Sequence, residues 1–140
     1  QRLEARAIEL GLSGQVTWLG VMRGSALGDA MRRHAVVVFP SRPEPPEALP
    51  LVPIESIASG CVMIACRQGG LPESVGPCGV LVPPEDARAL ANAIRDLLAD
   101  KPLQQRLLDA APGHLRSFHP DVVVAEYETA MRDVIREHGR

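Results

Sequence analysis

Aromatic side chains are scarce. Trp18, Phe39, Phe118 and Tyr127 make up the 3% present in 140 residues, too few for the stacking platforms that hold single-stranded nucleic acid. Lysine is scarcer still, since Lys101 stands alone among 15 basic residues and the rest are arginine. Against 17 acidic residues the formal net charge is -2, so the basic footprint of a nucleic-acid binder is missing and no nucleic-acid partner is expected. No apolar run reaches the roughly 18 residues of a membrane helix. No signal peptide is recognisable at the start, and a cytoplasmic protein is the expectation. Cys61, Cys66 and Cys78 form no C-x-x-C pair, and His34, His114, His119 and His138 find no partner at a metal-ligand spacing. Buried apolar thiols and the absence of a metal are therefore expected.

What is present is an aliphatic chain. Hydrophobic residues account for 46% and charged residues for 23%, which excludes disorder. A chain of this length buries roughly two-thirds of its unfolded surface, enough for one domain with a core.

The chain opens directly in helical periodicity, "QRLEARAIELGL", with Leu3, Ala7, Ile8 and Leu10 on one face and Gly11 as the stop, predicting a helix over 2–10. Such an opening, with no strand before it, reads as a cut inside a domain. "QVTWLG" then predicts a short strand, and "SALGDAMRRHA" a helix capped by Ser25 with Leu27, Ala30 and Met31 inward. "VVVFP" and "CVMIAC" are continuous apolar runs, the mark of strands buried on both faces of a parallel sheet. A helix from about Pro53 to Ser59 lies between them. "LPESVG", "GVLVP" and the amphipathic "EDARALANAIRDLLAD" continue the alternation, and two further helical segments follow, the first interrupted by Pro112 and Gly113. The pattern is α/β, an open parallel Rossmann-like sheet with helices on both faces and C-terminal helices.

Ligands in such sheets bind beyond the carboxyl ends of the strands. The loop after "VVVF" runs "SRPEPPEALPLVPIESIASG". It carries Glu47 and Glu55 on either side of a proline-rich, apolar run. Pro53 fits the first helical position, which puts Glu55 near N3 and leaves free backbone N–H groups at a positive dipole end, a ready seat for an anion such as a diphosphate. A lone Glu in a first turn also suits the helix dipole by about 0.3–1 kcal/mol, so it is the pairing with Glu47 that suggests function. The second loop, "CRQGGLPESVG", has Gly69 and Gly70, which let the backbone approach a ligand or simply make a turn.

Taken in order, "VTWLG", "VVVFPSR", the E-x7-E pair ending in "LVPIESIASG", "VMIAC", "GGLPESVG" and "GVLVPPED" resemble the donor-binding lobe of retaining glycosyltransferases of the GT-B fold, family 4, from about Leu10 to Leu98. The resemblance implies a site for a nucleotide-diphosphate sugar, the donor substrate, with no metal or other cofactor. Glu47, the catalytic residue in this reading, would contact hydroxyls of the sugar, and Glu55 would accept hydrogen bonds from the ribose, as acceptor-only carboxylates can. The N–H groups of Leu51 and Val52 would face the diphosphate, and Val21 would lie near the base. The acceptor hydroxyl would attack on the leaving-group face, and the helix dipole and positive side chains would stabilise the departing diphosphate. Residues 1–117 would form the partial nucleotide-sugar-binding domain and 118–140 a C-terminal helix of the same lobe.

The sequence also departs from that family. Pro50, without an N–H, stands where a glycine is usual, and Ala48 and Leu49 replace the commoner small-then-Phe pair. The strand, G-R segment and Lys that grip the diphosphate lie outside this chain, as does the acceptor-binding N-terminal lobe, and Arg23, Arg42 and Arg67 match neither missing cation. A fragment that is inactive by itself is the expectation, from a parent whose place at a membrane periphery is left open. Two other readings stand beside transfer: a degenerate Rossmann-like interaction module, and a GT-B relative such as a sugar-nucleotide epimerase.

Overall fold

The computed structural model describes residues 2–45 and 48–138. Three strands, β1 (Val36–Phe39), β2 (Val62–Cys66) and β3 (Gly79–Val82), form one parallel sheet in the order β1-β2-β3. Val36 lies opposite Val62, and Met63 opposite Gly79. The helices are α1 (Arg2–Glu9), α2 (Gly24–Arg32), α3 (Leu51–Ala58), α4 (Leu71–Val75), α5 (Ala87–Ala99), α6 (Lys101–Asp109), α7 (Ala111–Arg116) and α8 (Pro120–His138), and a 3-10 turn at Gly76–Cys78 leads into β3.

The two-residue period of a strand divides the core. Met63 and Ala65 of β2 point to the face where Ile57 of α3, Leu71 and Val75 of α4 and Ala111 of α7 gather. Val62, Ile64 and Cys66 point to the other, with Leu97 of α5 and Leu107 of α6. Helices thus cover both faces, and every residue of β2 is buried. β1 is only half-buried along its length, contrary to the expectation from its apolar run, because among the described residues it pairs on one side alone.

The expected strand at 15–20 does not form: residues 16–20 carry no ladder, and Trp18 and Leu19 are about half exposed. Apolar alternation makes a segment suitable for a sheet, but a strand exists only where a neighbour completes its hydrogen bonds. Other boundaries moved for local reasons. α2 starts at Gly24 with Arg23 as the N-cap residue, so Ser25 is inside the helix and caps nothing. Pro112 and Gly113 sit inside α7, where a proline in the first turn is tolerated, and the break falls at Ala110.

The long helices have caps that account for their order. Asp86 accepts the Ala89 N–H at 2.8 Å and Asp100 the Leu103 N–H at 2.8 Å, so Asp100 ends α5 and starts α6. Buried Gln104 then donates to the Leu97 carbonyl at 2.6 Å, fastening α6 to α5. α3 closes with Gly60 N–H on Ile57 O and Cys61 N–H on Ser56 O, both at 3.0 Å, the paired bonds of a Schellman end. No helix among the described residues is long and apolar enough to cross a membrane.

Candidate functional site

The N-terminus of α3 lies beyond the carboxyl end of β1, and its chemistry follows from two prolines. The helix starts at Leu51 with buried Pro50 as N-cap, at φ -70° and ψ 135°. Pro53 is therefore at N3 rather than N1, and Glu55 lies two residues further in than N3, outside the first turn. N–H groups throughout a first turn lack intrahelical partners, so proline fits at any of these positions. Since neither Pro50 nor Pro53 has an N–H, the donors of this helix start that lack an intrahelical partner reduce to Leu51 and Val52, and the N-cap side chain makes no bond to them. Two adjacent N–H groups at a positive dipole end form a small anion seat.

Glu55 is exposed and lines a cleft of about 370 Å³ between α2 and α3, with Gly24, Leu27, Gly28, Met31 and Arg32. Val21, 89% exposed, lines a second, more apolar cleft of about 520 Å³ beside β1 that shares Leu27 and Met31 with the first. The two clefts meet at the α2 residues Leu27 and Met31. The one by Val21 is apolar, suited to a ring system, and the one by Glu55 presents a carboxylate, suited to hydroxyl donors. Glu47 lies outside the described residues.

The Gly69-Gly70 turn reaches the same place from β2. Gly69 has φ 48°, and a Cβ on Gly70 would run into the carbonyl of Ala48. The missing side chain at Gly70 thus serves an approach to the chain's own loop, two residues before Pro50, and this contact joins the two loops. Gln68, just before the turn, has its side-chain amide nitrogen and oxygen buried without a hydrogen-bond partner among the described residues. Such a group costs about 1–3 kcal/mol.

A further cleft, about 360 Å³, lies across the strand ends between Ser41, Arg42, Cys66, Glu85 and Asp86. It opens on the α5 side, with Ala87 and Leu90 in its wall. Arg23 and Arg67 are exposed. The thiols of Cys61, Cys66 and Cys78 are buried, and that burial holds each above its ordinary value, the opposite of an activated nucleophile. Among the described residues no three His, Cys, Asp or Glu groups come together as metal ligands.

The sequence model of the glycosyl transferases group 1 matches residues 1–100. The chain belongs to that family. D-inositol 3-phosphate glycosyltransferases are similar along nearly its whole length, with 33% identity over 98% of the chain for the Streptomyces coelicolor enzyme and 34% over 98% for that of Acidothermus cellulolyticus. The match covers 32% and 30% of those two proteins, so this group 1 chain spans about a third of the length of its curated relatives. Among solved structures, sucrose-phosphate synthase from Thermosynechococcus elongatus superposes with a TM-score of 0.78 at 32% identity, over 97% of this chain and 34% of that one. Anabaena HepE in complex with UDP gives 0.77 at 26%, over 94% and 35%. These matches make the α/β sheet a GT-B, C-terminal-type glycosyltransferase domain.

Within this group 1 domain the structure brings Leu51, Val52, Gly69 and Gly70 to one end of the sheet, with Glu55 and Val21 on two clefts that share Leu27 and Met31. His114, which no motif singled out, bonds from α7 to the Ser74 carbonyl in α4, the short helix that follows the Gly69-Gly70 turn. A lone histidine in a helical segment carries no sequence signal of such a role.

Proposed function

We propose that this chain supplies the donor-binding site of a retaining GT-B glycosyltransferase of family 4, which moves a hexosyl group from a nucleotide-diphosphate sugar to an acceptor hydroxyl. The observation that carries this reading is the start of α3. Two prolines leave the N–H groups of Leu51 and Val52 as its donors without an intrahelical partner, with Glu55 on a cleft along the same helix and Val21 on an apolar cleft that shares Leu27 and Met31 with it. The diphosphate sits on the two N–H groups, the ribose hydroxyls donate to Glu55, and the base lies along the apolar cleft by Val21. Glu47 reads the sugar hydroxyls. That HepE was solved with UDP and with UDP-glucose supports a uridine nucleotide as the first probe.

In the transfer step, the bond from the anomeric carbon to the diphosphate breaks as the acceptor oxygen bonds to that carbon on the same face, and the acceptor's hydroxyl proton passes to the departing diphosphate oxygen. The helix dipole and the two N–H groups stabilise charge developing on the leaving oxygen. Residues 1–117 form the donor-binding body in this reading, with 118–140 as its tail, and the acceptor is held by a separate lobe of a cytoplasmic parent. No metal is required.

Calorimetric titration of the chain with UDP and UDP-glucose tests the site. Saturable binding is expected, weakened about tenfold by Glu55→Ala, the effect of losing hydrogen bonds to one charged acceptor. Absence of binding, or identical affinity for the variant, would overturn the assignment. A non-catalytic interaction module is favoured by one feature, the missing N–H at Pro50, and turnover by the full-length parent would exclude it.

A further inference from the structure

We infer that His114 is a positioning residue for the Gly69-Gly70 turn, an inference that rests on the reading of that turn as part of the donor site. His114 lies in α7, on the far side of α4 from the turn. Its Nε2 is 3.0 Å from the carbonyl oxygen of Ser74. A carbonyl can only accept, so Nε2 carries the proton and donates. Ser74 is fully buried, and its hydroxyl donates in turn to the Gly70 carbonyl at 3.0 Å, which also receives the Ser74 backbone N–H at 3.0 Å. Gly70 in its turn abuts the Ala48 carbonyl. One line of contacts therefore runs from the imidazole through α4 to the loop that ends at the start of α3.

The imidazole is held at both sides, which makes it a strut rather than a passing contact. Phe118 meets it edge-on, with ring centroids 5.1 Å apart. On its other side the ring occupies the space where a Cβ of Gly76 would stand. α7 itself is anchored by Ala111, which packs with Ile57, Leu71 and Val75. α4 has only five residues, too short to hold its own place without tertiary contacts. The histidine supplies a polar one, fixing the height of α4 and with it the position of Gly70 against Ala48.

The experiment is amide hydrogen exchange by NMR on the full chain, followed by titration with UDP. The Leu71 amide, bonded to Gln68 O, and the Ser74 amide, bonded to Gly70 O, report on the turn. In His114→Leu both should exchange about fivefold or more faster while the amides of β2 keep their rates, as for a local opening. His114→Gln, whose terminal amide can reach and donate to the same carbonyl, should restore them. UDP affinity should fall about three- to tenfold in His114→Leu and recover in His114→Gln. Ser74→Ala, which removes one of the two bonds from Ser74 to the Gly70 carbonyl and leaves the histidine in place, should accelerate Leu71 as well, and the exchange rates of His114→Gln against the unaltered chain decide the matter if His114→Leu does not fold. Unchanged exchange at Leu71 and Ser74, an equal rise throughout β2, or no recovery with glutamine would each overturn the positioning role. If the unaltered chain fails to bind UDP the donor-site reading falls, whereas the exchange rates still judge the strut.

Discussion

At Gly70 a single missing carbon sets the distance between two loops. The obstacle to a Cβ is the backbone carbonyl of Ala48, not the end of a flexible side chain, so relief requires one loop to move. Gly70→Ala should cost about 2–4 kcal/mol of stability, in the range of overpacked core sites, and should weaken UDP binding beyond what the loss of folded protein explains. Gly14→Ala is the matched control. Nothing lies within 4 Å of a Cβ there and its φ is not in the left-handed region, so its effect should stay within about 0.5 kcal/mol. Urea midpoints of the two variants check both, and equal midpoints would show that the loops separate freely. The glycine pair was visible in the sequence as a turn maker. What it approaches was not, because the partner carbonyl belongs to a residue 22 positions away whose identity as alanine says nothing about where its oxygen points.

Element boundaries were legible where side chains themselves form the end, and illegible where tertiary neighbours decide. α5 shows the first case. Its apolar period is plain in "ARALANAIRDLLA", and Asp86 closes its start through a measurable bond. Asp86→Ala and Asp100→Ala should each cost about 1 kcal/mol, seen as a lower urea midpoint with the helical signal of the folded state preserved. No change for Asp100, which joins two helices at once, would mean that the Gln104 bond to Leu97 already fixes that corner. α3 shows the second case. Proline is acceptable at any first-turn position, so residue type alone does not tell N1 from N3, and Glu55 stands two residues deeper in the helix than the sequence predicts. The prolines on either side leave Leu51 and Val52 as the donors of that start without an intrahelical partner. Residues 16–20 carried a strand pattern and form no strand, because alternation reports fitness for a sheet and not the presence of a partner. The candidate site was thus legible as a set of loops, while the strut at His114 needed three-dimensional proximity between α4 and α7.

Across the whole molecule the buried contacts concentrate on β2, and the surfaces away from it are unusually apolar. Leu3 and Ile8 of α1 are 71% and 67% exposed, and Tyr127, Met131 and Ile135 of α8 are 66%, 63% and 69% exposed. Global stability therefore depends on a small central core, and that core contains all three cysteines. Cys66 packs on one face of the sheet and Cys78 on the other, while the Cys61 thiol, just before β2, points to the carbonyls of Met31 and His34 at 3.0 and 3.3 Å. Burial raises each thiol above the ordinary value of 9.0, although the Glu85 backbone N–H offsets part of the effect at Cys66. The sign follows from proton counting. Above about pH 9 the unfolded chain has released protons that the folded chain still holds, so unfolding is favoured as pH rises. The thiols' contribution is complete below that pH and is lost through the folded values, with a slope of at most about 1.4 kcal/mol per pH unit for each thiol. Urea midpoints at pH 7, 8.5 and 10 should be level over the first interval and fall over the second. In a variant carrying Cys61→Ala, Cys66→Ala and Cys78→Ala the fall should shrink, even if its midpoint at pH 7 is lower. An identical fall in that variant would assign the alkaline loss to groups outside the core, and would separate the pH response of the molecule from the strand on which its fold depends.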